Sequence, residues 1–222
     1  MFTYNGTVFA QTNNKGIDYY DDDAALWLNF HFEKKLTDKI EASFDFKNRI
    51  KNNVSEYGLG YVDLAVNYSL FKFLKLQVDY AYGKARNLNG FYSDIHRGGL
   101  SVLLRRKLGS FTFTYRNMLQ CRFKNLYVSE NGMVPVYFER NKLTVKYDIN
   151  KRFETYLSEE LYLPFNQTRK KGLSRSRSTF GLIYNLSKKI NIEGFFIYQH
   201  ELNAFNKTNR DFIYGIGYSQ QF

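Results

Sequence analysis

Asp211-Phe212-Ile213-Tyr214-Gly215-Ile216-Gly217-Tyr218-Ser219-Gln220-Gln221-Phe222 closes the chain, and its two faces differ. In an extended strand successive side chains point to opposite sides. Phe212, Tyr214, Ile216, Tyr218 and Phe222 therefore share one face, and Asp211, Gly215, Gly217, Ser219 and Gln221 share the other. The final residue is aromatic, whereas the ends of soluble domains are usually polar and frayed. A strand with lipid on one face and a polar lumen on the other needs this alternation, with aromatics near the interfaces.

The pattern recurs upstream. Alternating runs end in short turns at Lys35-Leu36-Thr37-Asp38-Lys39, Leu70-Phe71-Lys72-Phe73, Lys107-Leu108-Gly109-Ser110, Ile149-Asn150-Lys151-Arg152 and Leu186-Ser187-Lys188-Lys189. The turns recur every 36 to 42 residues, roughly, which suits a hairpin of two membrane-length strands. Between them lie longer polar connections: Thr12–Asp23, Asn52–Glu56, Asn87–Asp94, Lys124–Val134, Asn166–Arg175 and Asn203–Asn209. Short turns on one rim and long loops on the other are the asymmetry of outer-membrane barrels, with the short side periplasmic.

The runs are Phe2–Gln11, Ala24–Lys34, Ile40–Lys51, Tyr57–Ser69, Leu74–Arg86, Ile95–Arg106, Phe111–Phe123, Pro135–Asp148, Phe153–Leu163, Ser176–Asn185, Ile190–Glu201 and Arg210–Phe222. They predict an all-β, antiparallel up-and-down transmembrane barrel of about 12 strands with both termini periplasmic. Residues 1–222 form one domain on this reading, with no stretch left over for a second. A soluble sandwich or lipocalin-like barrel would also alternate, but its strands average about 5–6 residues. Its apolar face would also have to be enclosed.

Composition agrees. The chain of 222 residues is 18% aromatic, with 19 Tyr and 21 Phe, and carries a formal charge of +11. Its mean hydropathy of −0.48 looks soluble, but alternating strands average out to polar. No run of about 18 apolar residues is present, as a membrane helix would need. No signal peptide follows Met1, so we expect Met1 to be an artificial or reassigned start of a mature chain. The single Cys121 excludes an internal disulfide. Lys and Arg are dispersed, and aromatics and basics sort to opposite faces, which argues against nucleic acid. Contact with outer-membrane lipid and lipopolysaccharide phosphates accounts for the positive balance.

Parity assigns the faces. Leu26, Leu28 and Phe30, then Phe44 and Phe46, Leu64 and Val66, Phe111, Phe113 and Tyr115 belong outside. Glu159 is the exception, for which a slipped register or bulge is expected. Inside belong Arg97, Arg105, Arg116, Arg122, Arg140, Lys142 and Lys146, with Glu41, Asp45, Asp63 and Asp79 as well as Lys47, Arg49 and Lys75. Glu154, Glu160, Glu193 and Glu201 face inward on later strands. Buried ions must be mutually satisfied. The expected partners of the basic group are Asp45, Asp63, Asp79, Glu154 and Glu193.

A search for chemistry yields little. Barrel hydrolases place His and Ser two residues apart on one strand face, and that spacing is absent around His31, His96 and His200. His31, with Glu33 and Asn29, is the best catalytic candidate. Asp18, Asp21, Asp22 and Asp23 offer oxygen ligands for Ca²⁺ but no ordered spacing, so a solvated acidic loop is expected. Arg169, Lys170, Lys171, Arg175 and Arg177 read as a basic loop. No phosphate loop, zinc spacing or nucleophile elbow occurs. No catalytic residue, cofactor or metal is assigned.

Some segments resemble a known family. They are Tyr147-Asp148-Ile149-Asn150-Lys151, Tyr184-Asn185-Leu186-Ser187-Lys188, Tyr92-Ser93-Asp94-Ile95-His96-Arg97, Lys107-Leu108-Gly109-Ser110-Phe111-Thr112 and the ending Asp211–Tyr218. From about Ala24 onward the chain resembles the uncharacterised bacterial outer-membrane barrels called domain of unknown function 2490. The resemblance implies the fold and an outer-membrane location, and supplies no activity or site residues. The terminal Phe222 likewise resembles the signal by which outer-membrane barrels of Gram-negative bacteria reach the insertion machinery. The first functional reading is a non-enzymatic structural or accessory barrel of an envelope assembly, with other envelope proteins as partners. The alternatives are a small passive channel for anionic solutes and, second, a lipid- or lipopolysaccharide-modifying barrel enzyme.

Overall fold

From Ala24 onward each alternating run becomes a strand. The computed structural model describes residues 20–86, 90–124, 135–165, 172–202 and 208–222. Its strands are β1 (Tyr20–Lys35), β2 (Ile40–Lys51), β3 (Glu56–Phe71), β4 (Leu74–Arg86), β5 (Tyr92–Leu108), β6 (Phe111–Lys124), β7 (Val136–Asp148), β8 (Phe153–Pro164), β9 (Arg175–Asn185), β10 (Ile190–Leu202) and β11 (Thr208–Gln221). Sequence neighbours pair antiparallel round a closed barrel.

The ring of described residues has eleven strands where the sequence predicts about twelve, because the run Phe2–Gln11 lies outside the described residues. An odd number of alternating strands leaves the first and last running the same way. β1 accordingly pairs with β11 in parallel, in register through Asn29↔Gly217, His31↔Ser219 and Glu33↔Gln221. β1 enters from the long-loop rim and β11 ends at the short-turn rim. The described residues thus bear on the periplasmic expectation for the C-terminus alone.

The short turns share a device. Thr37 Oγ1 accepts the backbone N–H groups of Lys39 and Ile40. Asn150 Oδ1 accepts those of Arg152 and Phe153, and Ser187 Oγ those of Lys189 and Ile190. A polar side chain that takes two otherwise orphaned donors fixes a tight turn. Gly109 supplies the positive φ of 59° that the turn between β5 and β6 requires.

The barrel is inside-out relative to a soluble one. Val78 is 59% exposed and Leu157 63%, on the outer face, whereas inward Ile213 is 1% exposed. Phe111, Phe113 and Tyr115 point outward as predicted. Such an exterior suits hydrocarbon rather than water. Inside, Ala25, Trp27, Phe195, Ile197 and Ile213 form one apolar patch on β1, β10 and β11. The rest of the wall is largely polar or charged.

One expectation fails. Glu159 faces outward without a slipped register or bulge, since the pairings of β8 with β7 and β9 are unbroken. Ser178 Oγ, its rung partner on β9, donates to its carboxylate at 2.5 Å.

Candidate functional site: the charged waist

Inward parity brings side chains from most of the ring to one level of the lumen. There a cavity of about 330 Å³ is lined by nine cationic side chains and four carboxylates. The cations are Lys47, Arg49, Arg97, Arg116, Arg122, Arg140, Lys142, Arg175 and Arg177, and the carboxylates are Asp45, Asp63, Asp79 and Glu160. Above the waist a vestibule of about 850 Å³ opens toward the long loops, sharing Trp27, Arg49, Arg122, Arg175 and Arg177 with it. Below it a chamber of about 250 Å³ reaches toward the short turns and shares Asn29, Asp45 and Lys47.

Two carboxylates tie down four of the cations. Glu160 Oε1 accepts from Arg116 Nη2 at 2.7 Å and from Arg140 Nη2 at 2.7 Å. Tyr162 O–H donates to its other oxygen at 2.9 Å, and Arg177 Nη1 lies 3.9 Å from that oxygen. Arg97 Nη2 donates to Asp63 at 2.9 Å. Lys47 lies 3.6 Å from Asp45 and Arg175 is held by Glu201, while Arg49, Arg122 and Arg177 also lean on aromatics and amides. The Arg49 guanidinium sits 3.9 Å from the Trp27 ring centroid and donates to Tyr61 O–H at 2.9 Å. Arg177 donates to Gln199 and Tyr162, each at 2.5 Å. Arg122 lies over Phe138 at 5.2 Å. Stacking on a ring face holds a guanidinium in place without neutralising it. Among the described residues Arg49, Arg122 and Lys142 have no carboxylate at ion-pair distance.

Apart from Arg105, the expected residues line the interior, but their pairing differs in part. Arg97–Asp63 and Lys146–Glu154 form, the latter toward the short turns. Asp45 pairs with Lys47 at 3.6 Å and also with His31 Nδ1 at 2.9 Å, and Glu193 accepts from Tyr156. Among the described residues Asp79 has only a Gln77 amide at 3.4 Å, and one of its oxygens has no partner. Arg105, near the lower end of β5, is exposed and lines none of the three chambers. The stagger between strands sets which side chains meet across a lumen, and single-strand patterns do not encode it.

The loop readings are corrected as well. Arg175 and Arg177 stand on β9 and point inward, with Arg175 held by Glu201 at 2.7 Å. Asp22 and Asp23 belong to β1; Asp22 pairs with Arg210 at 2.8 Å, and Asp23 accepts the backbone N–H groups of Asn52 and Asn53. Asp18, the Asp21 side chain, Arg169, Lys170 and Lys171 lie outside the described residues. Among the described residues no cluster of His, Cys, Asp and Glu could hold a metal. His31 has carboxylates at both nitrogens, Asp45 at 2.9 Å and Glu33 at 3.9 Å. Ser219, its rung partner, makes no hydrogen bond to it. A base flanked in this way is poorly set to take a hydroxyl proton. Phe222 stacks on Phe32 at 6.4 Å, and its backbone N–H donates to Glu33 C=O at 2.9 Å, so it seals the β1–β11 seam.

The model of a family described as a protein of unknown function (DUF2490) matches residues 24–210. The chain belongs to this DUF2490 family. No curated protein sequence matches the chain. Among solved structures, this DUF2490 member is similar to a bacterial polysaccharide outer-membrane secretin, at TM-score 0.53 and 8% identity. That match covers 80% of this chain and 63% of the other, so the DUF2490 chain spans less than two thirds of it. It is also similar to the NanC porin, at TM-score 0.48 and 15% identity over 86% of this chain and 97% of that one. The β domain of the Bordetella autotransporter BrkA follows at 0.45 and 14%, covering 82% of each. At such identities a likeness speaks for the barrel fold of the DUF2490 chain and nothing finer.

Proposed function

We propose that this protein is a non-enzymatic outer-membrane barrel through which small anionic solutes pass. The observation that carries the reading is the waist, where nine cations face four carboxylates and Arg49, Arg122 and Lys142 remain unneutralised. A formal excess of five positive charges in a water-filled constriction attracts anions and repels cations. Chambers above and below the waist share its lining residues, which supports a path along the axis. The proposed surroundings are outer-membrane lipid and lipopolysaccharide, reached through the barrel-insertion machinery. Purified protein in planar bilayers tests it. We expect discrete conductance steps and, in a KCl gradient, a reversal potential on the chloride side. Cation selectivity overturns the reading.

A structural or accessory role is the second reading, and one observation favours it. Glu160 gathers Arg116, Arg140 and Tyr162 across β6, β7 and β8, which cross-braces the waist. Absence of conductance from protein shown to be folded would favour this reading.

A further inference from the structure

The outer face carries a polar strip in one sector. On β6 and β7, Asn117 donates to Glu139 at 2.8 Å and to Asn141 at 2.9 Å, and Asn141 Nδ2 donates to Glu139 at 3.2 Å. On β8 and β9, Glu159 is paired with Ser178. All of these side chains face outward, and Glu159 lies six residues from the β8 start and five from its end. It therefore sits near the middle of the apolar band, where carboxylates are disfavoured. At the same level on the opposite side, Phe44, Phe46, Leu64, Val66 and Val78 are apolar. Beside Glu159 a hollow of about 430 Å³ lies between Leu157 and Phe196.

The strip is incompletely satisfied. Glu159 accepts through Oε2 alone, leaving Oε1 without a donor among the described residues. Asn141 uses one of its two amide N–H groups. We infer that this sector is the interface with a second copy of this chain. The inference rests on the membrane placement proposed above. Two copies in one membrane share an up-and-down orientation, so their two-fold axis runs along the membrane normal. An axis between β7 and β8 sets β8 of each copy against β7 of the other. Such an axis brings the β8–β9 half of the strip, with its free acceptor, against the β6–β7 half of the other copy, with its free amide donor. A self-complementary patch of this kind is what an isologous dimer requires. The four strands β6 to β9 at about 4.8 Å by an apolar band about 25 Å tall give roughly 480 Å² per copy. The total of about 960 Å² is close to the roughly 1,000 Å² that marks a small specific interface.

Cross-linking at the axis tests this. In a Cys121→Ser background, Leu161→Cys places a thiol on β8 next to Asn141, and Val66→Cys on β3 is the control. In membranes under mild oxidation, we expect Leu161→Cys to give a product of about twice 26.3 kDa and Val66→Cys none. Light scattering of the purified wild type in mild detergent is expected to show the same dimer. Glu159→Leu combined with Asn141→Leu is expected to weaken self-association at least tenfold while the barrel stays heat-modifiable. A product of another mass identifies a different partner and overturns the inference. A strictly monomeric wild type, equal cross-linking at both thiols, or an unchanged dimer in the double variant overturns it too. Conductance is measured independently, so a monomer that conducts anions refutes the dimer and leaves the channel standing.

Discussion

At Gly215 the absence of one methyl group shapes the inner wall. A Cβ built there would lie 2.0 Å from Cζ and 2.1 Å from Cε2 of Phe195. Phe195 therefore lies flat over the β11 backbone and packs with Trp27 and Ile213 in the apolar patch of the lumen. Gly215→Ala forces the ring away, and overpacking of this kind costs about 1–3 kcal/mol. Gly194 faces outward on β10, where an added Cβ meets nothing within 4 Å. Urea unfolding followed through the fluorescence of the single Trp27 is expected to show Gly215→Ala destabilised by that amount and Gly194→Ala unchanged or slightly more stable. Equal stability of the two variants would mean that Phe195 readily finds another position. Trp27 was not singled out in the sequence, although its position was there to be read. It breaks the outward run of aromatics on β1 by standing at an odd position, between Leu26 and Leu28. What it holds comes from near and far: Arg49 is its rung partner on β2, and Arg177 stands on β9.

Elements divide by how local their signals are. Alternation is local, so strand boundaries and faces from Ala24 onward were legible, as were the turns set by Thr37, Asn150 and Ser187. Closure is not local, and the parallel β1–β11 seam has no signature within either strand. Arg175 and Arg177 read as loop because a basic, Ser-containing run looks solvated until partners such as Glu201 and Gln199 are known. The Glu160 cluster shows the same non-local logic. Glu160→Ala leaves Arg116 and Arg140 buried or half-buried without their acceptor, a loss that typically costs about 3–5 kcal/mol. Arg116→Ala leaves Glu160 still held by Arg140 and Tyr162, so a smaller loss is expected. Denaturation midpoints in the reverse order would show that Arg116 is the keystone instead. At the seam, deleting Phe222 removes its stack on Phe32. That contact is worth at most about 1.5–3 kcal/mol, small against a whole barrel. We therefore expect normal folding of the truncated chain in detergent and reduced recovery of heat-modifiable protein from cell membranes. Equal recovery would mark Phe222 as an ordinary strand residue.

Taken whole, the barrel has an uncharged outer band over most of its circumference and a charged interior, and the charge is unevenly placed along the axis. Six cations and four carboxylates line the vestibule, against nine and four at the waist. The waist is therefore where selectivity should be set. Of its cations, Arg97, Arg116 and Arg140 are bound to carboxylates and hold the wall together. Arg49, Arg122 and Lys142 contribute field without comparable bracing. Replacing these three with Gln removes three of the five surplus charges and keeps much of the side-chain volume. The expected result is a barrel that remains folded by heat-modifiability and conducts, with its reversal potential moved most of the way toward zero. Screening offers an independent check. The Debye length falls from about 10 Å at 0.1 M salt to about 3 Å at 1 M. Wild-type selectivity should therefore decline over that range, and the triple variant should change little. If the triple variant keeps wild-type selectivity at low salt, the surplus charge of the waist does not govern permeation, and the anion reading fails at its central observation.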